Sequence, residues 1–129
     1  MGFVWNYDAG ECVVSKPRFK AVVGFDTLAH ANTVKTSVAT QLVGKDIFEE
    51  HRFSTFVDSD DGPTLLGEWR FNNEVDRDSL KDWILNQIQN HPVVKSWIET
   101  ARVSWHSCTH NDPVIRDCRT SSYSEWIRV

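Results

Sequence analysis

Cysteine is scarce and odd in number: the 129 residues hold three, Cys12, Cys108 and Cys118. That excludes a disulfide-dense secreted scaffold, and unpaired thiols fit a reducing cytoplasm, which is the expected location. A Cys108–Cys118 bridge would be the exception. Six glycines and four prolines are too few for a collagen-like or low-complexity chain. No apolar run approaches the roughly 18 residues of a membrane span, so no membrane association is expected. The opening Met1-Gly2-Phe3-Val4-Trp5-Asn6-Tyr7 has neither the basic start nor the apolar stretch of a secretory signal. Excess positive charge is missing as well. Fourteen Lys and Arg against 18 Asp and Glu leave a net charge of −4, which disfavours a globally basic nucleic-acid binder but leaves a local basic patch open. The chain carries no Gly-x-Ser-x-Gly elbow, phosphate-binding Gly-x-x-x-x-Gly-Lys loop or dinucleotide fingerprint. No cofactor is therefore expected.

What is present reads as one domain, 1–129, since hydrophobic residues at 40% and charged residues at 25% are ordinary for a globular chain of this length. Residues 1–16 read as a hairpin, Phe3 to Tyr7 against Cys12 to Val14 around Asp8-Ala9-Gly10. Residues 18–110 form the core unit and 111–129 a polar tail, with Tyr123 to Val129 as a candidate edge strand. Arg18 to Phe25 alternates, with Phe19, Ala21, Val23 and Phe25 on one face. Thr27 to Val43 carries a helical stripe of Leu28, Ala31, Val34, Val38 and Leu42, a capping residue at Asp26 or Thr27, and Gly44 as a stop. Its Thr36, Val38, Thr40 and Leu42 also alternate, so a strand competes there. The punctuation at both ends favours the helix.

His51 to Asp58 and Thr64 to Asn72 read as strands around the turn Asp60-Asp61-Gly62-Pro63. A second helix is expected from an Asp76 cap, with Val75 and Leu80 as a hydrophobic staple. Its buried stripe is Leu80, Ile84 and Ile88, joined by Trp83 and His91. Pro92 ends it and opens a short turn through Val93, Val94 and Trp97. Thr100 to His110 alternates again. The order strand, helix, strand, strand, helix, strand predicts an α+β fold: an antiparallel sheet with two helices on one face, similar to the ferredoxin-like βαββαβ pattern, plus the N-terminal hairpin. The alternative is a larger antiparallel sheet around a single helix.

In that arrangement Phe19, Val23, Phe25, Phe53, Val57, Leu65, Trp69, Phe71, Val103 and Trp105 form the core face. The opposite face gathers Arg18, Lys20, Arg52, Arg70, Arg102 and His106 against Glu68 alone. Such a surface can bind a small anion or an acidic protein surface, although an uncovered sheet face is also commonly just charged and solvated. Sheet-face RNA binders stack bases on open-face aromatics, and only Phe56 projects there, so nucleic acid is disfavoured. His106, Cys108 and His110 share one side of a strand, with His51 as a further donor. However, alternate positions i and i+4 stand roughly 13 Å apart, which disfavours zinc and leaves metal as a minor reading. Asp58-Ser59-Asp60-Asp61-Gly62 is out of register for a calcium loop and reads as a turn. His30 is a lone histidine, either a base or anion contact or plain surface. Trp5, Trp97 and Trp126 fall outside the periodic pattern and suit either an interface or terminal packing.

The functional expectation is a non-catalytic binding module, paired as a homodimer whose sheets meet or share edges. The alternative is a small cofactor-independent enzyme with a pocket between two sheets of a dimer, using His106 as acid/base and Arg102 as anion clamp.

Overall fold

The computed structural model describes residues 16–105 in full, together with the backbone of residues 3–6, 11–14, 106 and 127–128. Strands β1 (Phe3–Asn6) and β2 (Glu11–Val14) pair antiparallel as a separate two-stranded sheet. The main sheet contains β3 (Arg18–Phe25), β4 (Ile47–Asp58), β5 (Gly62–Phe71), β6 (Ile98–His106) and β7 (Ile127–Arg128), in the spatial order β4-β5-β3-β6-β7. All four pairings are antiparallel. Helices α1 (Leu28–Leu42), α2 (Glu74–Asn90) and α3 (Pro92–Trp97) complete the α+β fold.

The competition over 27–43 resolves to helix. Thr27 is the N-cap, its hydroxyl accepting from the His30 N–H, and Gly44 follows the last turn at φ 81°, a conformation that glycine adopts without strain. Thr33, Thr36, Ser37 and Thr40 each donate their hydroxyl to the carbonyl four residues back. The helix thereby satisfies side chains that otherwise favour strands or turns. Ala31, Val34 and Val38 are its buried residues. A larger sheet around a single helix is therefore excluded.

The cap of α2 is Asn73, not Asp76: the Asn73 side chain accepts from the Asp76 N–H. Asp76 instead accepts from the Asp46 N–H and the Asn73 amide, tying the helix start to the lead-in of β4. The expected staple is absent, since Val75 is 77% exposed once the helix begins three residues earlier. The stripe Leu80, Ile84 and Ile88 is buried. His91 lies outside it as the hinge between two helices. It is the C-cap of α2, and its ring accepts from the Val94 N–H to start α3 behind Pro92.

These helix stripes meet Phe19, Ala21, Val23, Phe25, Leu65, Trp69, Phe71, Ala101 and Val103 in one apolar cluster. Burying each large side chain contributes about 1.5–3 kcal/mol. Phe53, Trp83, Trp97 and Trp105 pack partly buried against it. Val57 is the exception to the expected core face, being 67% exposed. It lies opposite Pro63 on the edge strand, next to the turn, and no neighbouring strand among the described residues covers it on the outer side.

Strand β4 also departs from simple alternation. Its pairing with β5 shifts register between Ile47 and Glu49 and again between His51 and Ser54. The second shift contains Arg52, at φ 60°, in the left-handed position usually given to glycine in a bulge. A bulge moves later side chains to the other face, so Arg52 leaves the regular row of the polar face.

Candidate functional site

Residues directly opposite in antiparallel strands share a face, and the register sets the expected basic residues in rows. Arg18 stands between Arg70 on β5 and His106 on β6, and Lys20 between Glu68 and Ser104. One step further, Val22 stands between Leu66 and Arg102. Five of the six predicted positions therefore fall on one face, with Arg52 displaced by the bulge. The side chain of His106, and all of Cys108 and His110, lie outside the described residues, as does the expected alternative of a Cys108–Cys118 bridge. Among the described residues no group of three His, Cys, Asp or Glu could hold a metal.

Carboxylates meet the cations of this face: Glu68, which the linear pattern set there, and Glu49 and Asp61, which it did not. Lys20 Nζ lies 4.0 Å from Glu68 Oε2, Arg70 Nε 3.5 Å from Glu49 Oε2, and Arg102 Nη2 3.1 Å from Asp61 Oδ2. Glu49 comes from the edge strand and Asp61 from the β4–β5 turn, so a contribution from either needs the hairpin register. The face is also less open than expected: Arg18 is 7% exposed and Ser104 fully buried. Ser104 Oγ has no hydrogen-bond partner among the described residues.

At the edge of this face Arg18, Arg70, His51, Glu49, Glu68 and Trp69 line a recess of about 90 Å³. Its cations stand beside carboxylates, Arg70 beside Glu49. The Arg70–Glu49 pair is partly exposed and, like most exposed ion pairs, worth little by itself. Arg77, which the linear reading did not single out, supports the recess from below. It is 4% exposed, its Nε donates to Asp78 Oδ1 at 2.6 Å, and Nη1 reaches the Arg18 carbonyl at 3.5 Å.

A second constellation surrounds His30. Its Nδ1 lies 2.7 Å from Asp26 Oδ1, and its ring stacks on Trp97 with centroids 4.0 Å apart and planes 5° apart. The hydrogen bond from His30, aided by the Thr27 N–H and opposed by partial desolvation, holds the Asp26 carboxyl below its usual range. Asp26 is thus the acceptor, and Nδ1 carries the proton. The Asp26 N–H donates to the Trp97 carbonyl at 2.9 Å, and the off-pattern Trp97 packs partly buried against the core. At the turn, the N–H groups of Asp61 and Asp60 lower the Asp58 carboxyl, with a smaller contribution from Arg102. Asp58 therefore serves as the turn's acceptor, in agreement with the sequence reading. Between the helices and the sheet an apolar void of about 20 Å³, lined by Val23, Val38, Leu65, Trp69, Ile84 and Ile88 among others, is too small for an organic ligand.

Fold and site together define a small α+β domain, an antiparallel sheet with three helices whose polar strand positions carry paired charges. Comparison with protein-family models, with curated proteins and with solved structures finds no match to the chain. No helix among the described residues is long and apolar enough to cross a membrane.

Proposed function

We propose that this protein is a non-catalytic binding module of the cytoplasm that acts as a homodimer. Its polar sheet face takes a small anionic ligand or an acidic protein surface through Arg18, Lys20, Arg70 and Arg102, with His106 in the same row. The observation that supports this reading most directly is the recess where the buried Arg18 and the partly exposed Arg70 and His51 converge. Within it the order of strands and helices over 18–106 is read as ferredoxin-like, an assignment supported by the central position of β3 between β5 and β6.

The test is titration with inorganic phosphate, a dicarboxylate and an acidic peptide, followed by Trp69 fluorescence and the His51 ring resonances. Saturable binding by the wild-type protein, lost in Arg70→Glu and in Lys20→Glu, is expected. No saturable response to any of the three probes overturns the reading.

A cofactor-independent enzyme is the second reading. The Asp26–His30 pair favours it, because a carboxylate that fixes Nδ1–H leaves Nε2 as a proton acceptor. Turnover on an organic-acid panel with a bell-shaped pH profile, abolished in His30→Ala, would establish it. The Arg102 clamp expected for that enzyme is engaged with Asp61.

A further inference from the structure

We propose that two copies of this chain pair through the outer edge of β4, antiparallel about a two-fold axis at Thr55, so that the two main sheets become one. This deepens the homodimer part of the function proposed above and rests on it. Strand β4 lies at the sheet's margin, and among the described residues β5 alone pairs with it. Natural edges are guarded by charges, bulges or proline. The first half of β4 has such guards in Glu49, Glu50 and Arg52 and in its two register shifts. The second half, Phe53-Ser54-Thr55-Phe56-Val57, has none, and Phe56 and Val57 are exposed there.

The backbone is oriented for an added strand. Pro63, opposite Val57, has no N–H to offer, so Val57 directs its own hydrogen-bonding groups away from β5. Alternation in an antiparallel ladder gives Thr55 the same outward direction.

A two-fold pairing keeps like faces together, which requires odd positions to meet odd positions and even to meet even. With Thr55 opposite its own copy, Phe53 meets Val57 and Ser54 meets Phe56, which supplies the apolar contact that Val57 lacks in one chain. Moving the axis to Ser54 would instead set Phe53 against Thr55, without an apolar partner. Moving it to Phe56 leaves Phe53 against Ser59, again without an apolar partner. The occupant is therefore a second copy of this chain, selected by its own complementarity.

The experiment compares the wild-type protein, Val57→Lys and Thr55→Cys by light scattering and by non-reducing mass spectrometry with peptide mapping. Val57 is exposed, so the lysine variant folds, and an unchanged far-ultraviolet circular-dichroism spectrum verifies it. The wild-type protein is expected to have twice the mass of one chain, Val57→Lys the mass of a single chain, and Thr55→Cys a 55–55 disulfide. A wild-type dimer that persists in Val57→Lys without a 55–55 link overturns the edge proposal while leaving a homodimer through another surface. A wild-type monomer at concentrations up to the millimolar range overturns both. Loss of anion binding alone touches only the polar-face reading.

Discussion

Gly67 lies on β5 beneath the indole of Trp69, and giving it a single methyl group tests how closely that side of the core is packed. A Cβ built on Gly67 would stand 2.1 Å from Trp69 Cη2, 2.7 Å from Cζ2 and 2.8 Å from Cζ3. The indole cannot step aside. Trp69 is 1% exposed, stacks on Phe19 at 6.2 Å, meets the edge of Phe53 at 5.2 Å, and donates from Nε1 to Glu50 at 3.3 Å. Overpacking of this kind costs about 1–3 kcal/mol, and so close an approach argues for the upper part of that range. Reduced freedom of the unfolded chain returns about 0.4–1 kcal/mol. Gly67→Ala is therefore expected to lose about 2 kcal/mol, lowering Tm by roughly 5–10 °C. Thermal unfolding monitored by circular dichroism and tryptophan fluorescence measures it. Trp69→Leu supplies the control: it destabilises by itself through the cavity it opens, but it makes room for the alanine methyl. The double variant should then melt no lower than Trp69→Leu alone, a positive coupling between neighbours. A Gly67→Ala protein that melts within one degree of wild type, or above it, refutes the packing argument.

Arg52→Gly should stabilise the protein by about 0.5–1 kcal/mol, because glycine adopts the left-handed bulge conformation without the Cβ clash; a lower Tm in the melt would show that the Arg52 side chain holds a partner. Ser104→Ala should be neutral or stabilising by up to about 1 kcal/mol, since it removes a fully buried hydroxyl with no partner among the described residues; a loss above that amount in chemical denaturation contradicts it. The Asp58 carboxyl is held below its usual 3.8 by the Asp61 and Asp60 N–H groups. It therefore adds stability above that value, and the contribution disappears as pH falls through the lower folded-state value. Tm plotted against pH between 5 and about 2 should fall less steeply in Asp58→Asn than in wild type, and identical slopes would remove Asp58 from the acid limb.

Much of this fold is legible in the residue order, for local reasons. Thr27 and Gly44 bracket α1, and the alternation of Phe19, Ala21, Val23 and Phe25 marks a strand with one buried face. Two Asx residues, Asn73 and Asp76, stand three apart before α2, and either can cap a helix. Only the long-range bond from the Asp46 N–H to Asp76 decides between them. The edge strand resists the same reading because each bulge reverses the facing of the residues beyond it, which displaced Arg52. The basic face was legible as a set of cations but not as a set of pairs. Glu49 and Asp61 reach it through the β4–β5 hairpin, whose register no local pattern states. His30 and Trp97 are likewise far apart in the chain, and their contact depends on the bond that joins the end of β3 to the end of α3.

The strand at the centre of the main sheet is the earliest of that sheet to be synthesised. Both ladders of β3 are closed by later segments, one by residues 62–71 and the other by 98–106. A ribosome elongating this chain releases β3 well before either neighbour, and its apolar face stays unmatched until α1 and α2 have also emerged. Such non-local pairing slows folding, because chain closure is required before the contacts that reward it. A nascent chain stalled after residue 90 would hold an apolar strand with one ladder open, and that intermediate is where chaperone engagement or misassembly is expected to concentrate.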